Sequence, residues 1–247
     1  MNYIYQILIE YDGTNFNGWQ KQKKGRSIQG IIEKILKKIL KQKIVIYGSG
    51  RTDSGVHALE QSAHFFLKKK IKKPNKILKS LNFFLNKYYI SILNLREKKN
   101  FFHARYSAKK RVYRYIILNR IGNPSLMNNK VWFIQKKIDI KKMKSAIKMF
   151  IGTKDFSAFR SSSCGAKSPI RTIDNASVKK SGDLIIINFR SKSFLKQQVR
   201  SMVGCLKKIG DGSWSKNYLK KVINSKNRSY CAQVAPPEGL YLEKVYY

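Results

Sequence analysis

Strand-like and helix-like segments follow one another along this chain without a regular alternation. Residues 3–12 place tyrosine or isoleucine at every second position, as a strand with one apolar face does. Ser27 can cap a helix whose apolar positions recur at helical spacing up to Leu40. Short turns join many of the strands. The pattern therefore predicts an α+β fold with largely antiparallel sheets and helices on one face, rather than a doubly wound parallel sheet.

Each half of the chain combines strands with helices, which favours two domains. In the first half, a helix is expected to start at Pro74, because proline suits the first turn of a helix. In the second half, the main helix is expected over residues 194–209. The boundary is expected near residues 100–105, after the charged stretch REKKN. We therefore expect an N-terminal domain over residues 1–104 and a C-terminal domain over residues 105–247.

The chain is strongly basic, with 52 Lys and Arg against 13 Asp and Glu and a formal net charge of +39. A charge of this size favours a polyanion as partner, because each neutralised phosphate releases counterions. Lysine greatly outnumbers arginine, as an A+T-rich genome would also produce, so the alternative is that coding bias supplies much of the charge. The charge indicates nucleic acid and says nothing about chemistry.

Cysteine usage and hydropathy indicate a reducing compartment. Cys164, Cys205 and Cys231 are far apart and include no CxxC pair, which argues against a disulfide framework and a structural zinc site. The three histidines do not have metal-ligand spacing. The first residues alternate and include acids, unlike a signal peptide, and no apolar run approaches the roughly 18 residues of a membrane span. We expect a cytoplasmic protein without a metal or a membrane partner.

The stretch Gly48–Ala58, GSGRTDSGVHA, sets an acid, Asp53, between glycines. Its spacing matches neither the dinucleotide fingerprint nor the P-loop, and an Asp in such a turn is most often an ordinary turn residue. Arg51 favours the ionised form of the carboxylate, however, and an ionised Asp can attack carbon. Hydrolysis of a glycosidic bond commonly needs a second carboxylate, and none is evident. A reaction that breaks and remakes one bond is therefore favoured.

Five motifs in this order carry a family resemblance. GSGRTDSGVHA, preceded by YDGTNFNGWQ with SIQG, is followed by FHARYSAKKRVYRYIILN, FLKQQVRSMVG and APPEGLYL. Together they resemble the tRNA pseudouridine synthase A family over residues 3–245. The resemblance implies an enzyme that isomerises uridine to pseudouridine at positions 38 to 40 of the tRNA anticodon stem-loop. It also implies a homodimer that shares one tRNA, no metal or organic cofactor, and an active-site cleft between two domains.

The resemblance also implies roles for individual residues. Asp53 corresponds to the nucleophile, and Arg51 to the residue that helps displace the target base from the RNA stack. Tyr113 corresponds to the aromatic residue that stacks on the uracil and assists proton removal from C5, with Tyr115 as the other possibility. Arg200 corresponds to a basic residue that pairs with the aspartate. Taken alone, Tyr113 would be interpreted as a core residue, whereas Arg200 follows an apolar helical stripe, where an arginine needs a partner.

Two other function classes remain as alternatives at this stage. A tRNA-binding or tRNA-folding protein could keep the same scaffold without catalysis, but Asp53, Arg51 and Tyr113 are all present, which disfavours it. A base-excising glycosylase would release free uracil, and the lack of a paired general acid argues against it. Neither alternative accounts for all five motifs.

Some residues depart from the family pattern or have a competing explanation. Lys196 and Gln197 stand where the family commonly has histidines, so no role is carried over to them. We interpret His57 as a packing or hydrogen-bonding residue of the turn, and His64 and His103 as structural. The basic segments 21–26 and 67–76 can follow an RNA backbone, or they can be solvated surfaces that reflect coding bias. Their candidate RNA-binding residues are Lys23, Lys24, Arg26, Lys69 and Lys70.

Overall fold

The computed structural model describes residues 3–99 and 101–247, which form ten strands and five helices. Asn100, in the predicted boundary, lies outside the described residues. The strands are β1 (Tyr3–Tyr11), β2 (Tyr47–Gly48), β3 (His57–Leu67), β4 (Ile90–Lys98), β5 (Lys110–Asn119), β6 (Trp132–Ile134), β7 (Gly152–Asp155), β8 (Ile170–Ser181), β9 (Leu184–Ser191) and β10 (Leu240–Tyr246). The helices are α1 (Ile28–Leu40), α2 (Pro74–Leu85), α3 (Ile140–Ile147), α4 (Gln198–Gly210) and α5 (Lys216–Ser225).

These elements confirm the α+β class and fall into two compact units. The first unit comprises Met1–Lys109 and Tyr241–Tyr247, and the second comprises Lys110–Leu240. The last strand therefore belongs to the unit that the first half of the sequence builds. The domains expected from the sequence, 1–104 and 105–247, differ from these units in the position of the boundary and in the placement of this strand.

The first unit is a sheet in the order β4-β1-β3, with β2 and β10 also paired to β3. Within it, the described pairings are antiparallel except for that of β10 with β3. α1 packs against α2, and α2 against β4. Ser27 caps α1 as predicted, because its Oγ accepts a hydrogen bond from the Gly30 amide at 3.2 Å.

The second unit is a sheet in the order β5-β9-β8-β7, with β6 added in parallel to β5. α3 packs against β8 and against α4, which in turn contacts α5. Strands β6 and β7 were not predicted, since they are only three and four residues long. α4 begins at Gln198 rather than at Phe194, because Gln197 adopts a left-handed conformation with φ of 63°.

Candidate active site

The turn that carries Asp53 joins β2 to β3 and is bound by the segment 13–19. The Trp19 amide donates to the Thr52 carbonyl at 3.1 Å. The Phe16 carbonyl accepts from the Gly55 amide at 3.3 Å and from Ser54 Oγ at 3.0 Å. The two motifs YDGTNFNGWQ and GSGRTDSGVHA therefore form one structure, in which the first holds the second.

Residues on either side of Arg51 are tied to the sheet. The Thr52 hydroxyl lies 2.8 Å from Tyr11 Oη, and the Gly50 carbonyl accepts from Gln61 Nε2 at 3.0 Å. Gln61 also accepts from Ser49 Oγ at 2.7 Å. Thr52 is buried and Arg51 is exposed, while Asp53 is half-buried. The backbone is thus fixed at Asp53, whereas the Arg51 side chain reaches the solvent.

His57 follows the turn and has the packing and hydrogen-bonding role predicted for it. Its Nδ1 accepts a hydrogen bond from the Gly13 amide at 3.1 Å, and its ring stacks on Tyr241 with 4.7 Å between centroids. Asp12 Oδ1 also lies 3.1 Å from His57 Nδ1. Burial, together with the charge of Asp12, raises the pKa of Tyr241 to about 12.

The two candidate tyrosines of β5 lie in the second unit; both are buried, but their contacts differ. The ring of Tyr113 meets Phe194 edge-on, with 5.2 Å between centroids. Tyr115 is completely buried, and its hydroxyl donates to the Pro236 carbonyl at 2.7 Å. Burial, and then the charge of Glu238, raise the pKa of Tyr115 far above its usual range. Tyr115 is therefore a neutral hydrogen-bond donor within the core.

Arg200 lies on α4 and is bound to the segment that precedes β10. Its Nε donates to the Ala235 carbonyl at 2.7 Å, and the Ala235 amide donates back to the Arg200 carbonyl at 3.2 Å. The expectation that this arginine needs a partner is met, within its own unit, by a backbone carbonyl. Pairing with Asp53 stays a prediction.

The candidate residues thus form two groups. Arg51 and Asp53 share one turn of the first unit, and Tyr113 and Arg200 belong to the second unit. Sequence reasoning missed the residues that support these groups, namely Phe16, Gly18, Gln61, Ala235 and Pro236. The motifs contained most of them, but only the fold identifies their contacts.

The candidate RNA-binding cations are exposed. Lys23, Lys24 and Arg26 lie in the loop before α1, whereas Lys69 and Lys70 follow β3. Lys70 Nζ is 3.3 Å from a Glu97 carboxylate oxygen. Lys196 is also exposed and donates to Ser163 Oγ at 2.9 Å.

Two features are absent from residues 3–99 and 101–247, which are those that the structure describes. No helix there is long and apolar enough to cross a membrane. Across the same residues, no group of three or more His, Cys, Asp or Glu side chains has the arrangement of a metal site.

Comparison with known proteins gives full-length matches. A family model described as tRNA pseudouridine synthase matches residues 7–107 and 146–247. The chain is 55% identical to "tRNA pseudouridine synthase A" of Pelagibacter ubique over 98% of this chain and 99% of that protein. It is 42% identical to proteins of the same name from Parvibaculum lavamentivorans and Ehrlichia canis, again over 98% of this chain. These two alignments cover 98% of the Parvibaculum lavamentivorans protein and 99% of the Ehrlichia canis protein. The alternative of a catalytically inactive scaffold is not supported.

Proposed function

Because the chain belongs to the tRNA pseudouridine synthase family, as its motifs predicted, we propose that Asp53 is the nucleophile with which it isomerises uridine to pseudouridine in tRNA. In this reaction the bond between N1 of uracil and C1′ of ribose breaks, and a bond between C5 and C1′ forms. The proton on C5 is lost, and N1 gains one. Because no electrons or groups leave the substrate, the chemistry requires no redox cofactor.

The observation that carries the proposal is the fixed backbone at Asp53. The neighbouring Thr52 is held on both its carbonyl and its hydroxyl, by Trp19 and Tyr11. The Asp53 carbonyl accepts from the Val56 amide at 3.2 Å, which closes the turn. A nucleophile needs a defined position relative to the reacting carbon, and a turn held in this way supplies it. Attack at ribose C1′ and attack at uracil C6 both fit this role.

We also propose roles for Arg51, Tyr113 and Arg200 on the basis of family membership. Arg51, exposed beside Asp53, enters the RNA helix where the target base leaves its stack. Tyr113 supplies the ring on which the extracted uracil stacks and assists loss of the C5 proton. We prefer it to the alternative candidate, Tyr115, because the Tyr115 hydroxyl is already hydrogen-bonded to the Pro236 carbonyl. Arg200 is the proposed partner of the Asp53 carboxylate. The Ala235 carbonyl orients its guanidinium.

The proposed target region of the tRNA and the proposed oligomeric state also rest on family membership. We propose that uridines at positions 38 to 40 of the anticodon stem-loop are modified, in the cytoplasm, by a homodimer that shares one tRNA. Lys23, Lys24, Arg26, Lys69 and Lys70 contact phosphates in this proposal, since their exposure and charge suit backbone contacts that position the substrate.

Release of tritium from C5-labelled uridine in an unmodified tRNA transcript tests the nucleophile. The unmodified protein should release tritium and form pseudouridine in the anticodon arm. Asp53→Ala should lower the rate by about 10⁴-fold or more, the scale of losing a covalent nucleophile. Asp183→Ala is the matched control, because Asp183 is an exposed carboxylate 3.8 Å from Arg120 in the second unit. Substantial release by Asp53→Ala would refute the assignment.

A further inference from the structure

An aromatic patch, defined here as Tyr47, Phe66, His103 and Tyr106, lies on the surface of the first unit. Tyr47 is 6.1 Å from Phe66 and 6.1 Å from His103 between ring centroids, and His103 is 4.3 Å from Tyr106. Tyr47, Phe66 and Tyr106 expose 44%, 42% and 74% of their surface. Contiguous apolar rings that remain in water mark an interaction surface rather than a core.

The patch is supported from below by a buried histidine. Tyr47 stacks on His64 with 5.2 Å between centroids, and His64 is fully buried. Nδ1 of His64 accepts a hydrogen bond from the Ala104 amide at 3.2 Å. Burial, and then the charge of His103, lower the pKa of His64 to about 4, so the ring is neutral near pH 7. The exposed rings of the patch therefore pack on a buried, uncharged imidazole.

One cation lies beside a ring of the patch, and a second lies beside the adjoining Phe102. The Arg105 guanidinium lies 5.6 Å from the centroid of Tyr106, and Lys98 Nζ lies 5.0 Å from that of the adjoining Phe102. Burial, followed by repulsion from Arg96, lowers the pKa of Lys98. The positive charges of Arg96, Lys98 and Arg105 favour a polyanion at this surface.

We propose that the aromatic patch is a second contact site for tRNA, on which unpaired bases stack while Arg105 and Lys98 contact the adjoining phosphates. Exposed rings interleaved with cations are the arrangement that binds single-stranded nucleic acid, because every base has a face that can stack. A continuous duplex would hide those faces within its own stack. The proposal rests on tRNA being the substrate and is independent of the role of Asp53.

Affinity measured with the Asp53→Ala protein separates binding from catalysis. In that background, Tyr106→Leu keeps an apolar side chain but removes the ring, and it should raise the Kd for a tRNA transcript about tenfold. Tyr106→Trp should restore the affinity. Tyr230→Leu is the control, because Tyr230 is also an exposed tyrosine, at 42%, and has Lys221 Nζ 5.7 Å from its ring centroid. Its Kd should change by less than about twofold.

Salt dependence and competition distinguish stacking from charge. Tyr106→Leu should leave the slope of log K against log salt unchanged, whereas Arg105→Gln should reduce its size by about 0.7–0.9. A single-stranded RNA should displace tRNA from the Asp53→Ala protein at a lower concentration than a fully paired duplex of equal length. Adding Tyr106→Leu should reduce the difference between these two concentrations.

Two results would overturn the proposal. One is an unchanged Kd for both Tyr106→Leu and Tyr47→Leu in folded protein, as judged by circular dichroism. The other is a fall in molecular mass on sedimentation that accompanies the loss of affinity, which would identify the patch as a contact between copies of the chain. If tRNA binds as expected but Asp53→Ala retains activity, the patch proposal stands and the nucleophile assignment fails.

Discussion

At the scale of single residues, the Asp53 turn depends on glycines at positions where no side chain would fit. A Cβ on Gly13 would lie 2.0 Å from the Val56 carbonyl oxygen, and one on Gly18 would lie 2.5 Å from that of Thr52. Gly48 would meet the Trp19 indole at 2.7 Å. Distances this short cannot be accommodated without moving the backbone or a buried ring. Close backbone approach is therefore what brings the two N-terminal motifs together.

Gly18→Ala tests this close approach. The substitution adds a clash with Thr52 to the strain of a φ of +85°, and it should displace the turn beneath Asp53. Gly212→Ala is the control, since Gly212 has a φ of +79° with open space around it. Urea denaturation should give a loss of about 1–2 kcal/mol for Gly212→Ala and about 2 kcal/mol more for Gly18→Ala. Only Gly18→Ala should also slow tritium release, so equal effects would contradict the explanation.

At the scale of elements, α4 is braced by the extended segment 231–235 that follows α5. Ala235 exchanges backbone and side-chain hydrogen bonds with Arg200. One turn further along, Gly204 lets the Gln233 carbonyl approach to 2.2 Å from the position of a Cβ. Cys205 Sγ lies 3.5 Å from Cys231 Sγ. The segment thus contacts α4 on the side that presents Arg200, and it fixes the proposed partner of Asp53.

The two cysteines of this contact should differ in reactivity. The hydrogen bond from Cys205, and then the charge of Arg228, lower the pKa of Cys231, whereas that bond and burial raise the pKa of Cys205. Because the thiolate is the nucleophile, iodoacetamide at about pH 8 should alkylate Cys231 before Cys205. Peptide mass spectrometry measures the order. Arg228→Gln should slow alkylation of Cys231, and preferential labelling of Cys205 would reverse the assignment.

At the scale of the whole molecule, the net charge of +39 favours binding of a polyanion such as tRNA. Each phosphate that a cation neutralises releases counterions, so affinity falls as salt rises. Some of the cations already have an acidic partner, as does Lys70, whose Nζ is 3.3 Å from a Glu97 carboxylate oxygen. Charge from coding bias should be spread evenly over exposed lysines, whereas functional charge should be concentrated where the RNA lies.

A comparison of two exposed lysine pairs tests where the functional charge lies. Lys23→Ala with Lys24→Ala should reduce the size of the salt slope by about 1.4–1.8 if both contact phosphates. Lys179→Ala with Lys180→Ala removes the same charge from exposed positions of β8. Filter binding of tRNA at several salt concentrations gives both slopes. Equal reductions would indicate that the loop before α1 has no special role.

Local features of the sequence determined the parts of the protein that local interactions specify. Ser27 and the apolar spacing after it predicted α1, because a cap and a helical stripe act within a few residues. The motifs identified the family and named Asp53 as the nucleophile to test. A helix also began at Pro74, as expected. The predictions of α1 and of the start of α2 are confirmed, because each depends on residues close together in the chain.

Tertiary contacts decided what short windows of sequence do not specify. Strand β2 does not extend to residues before Tyr47, because the Ile46 amide donates to Glu33 and the Ile46 carbonyl accepts from Gln29, both side chains of α1. β10 joins the first unit through pairing with β3, which is more than 170 residues away in sequence. The support of Asp53 by Phe16 and Trp19 arises in the same way. Such contacts join residues that are distant in the chain, so the fold alone selects them.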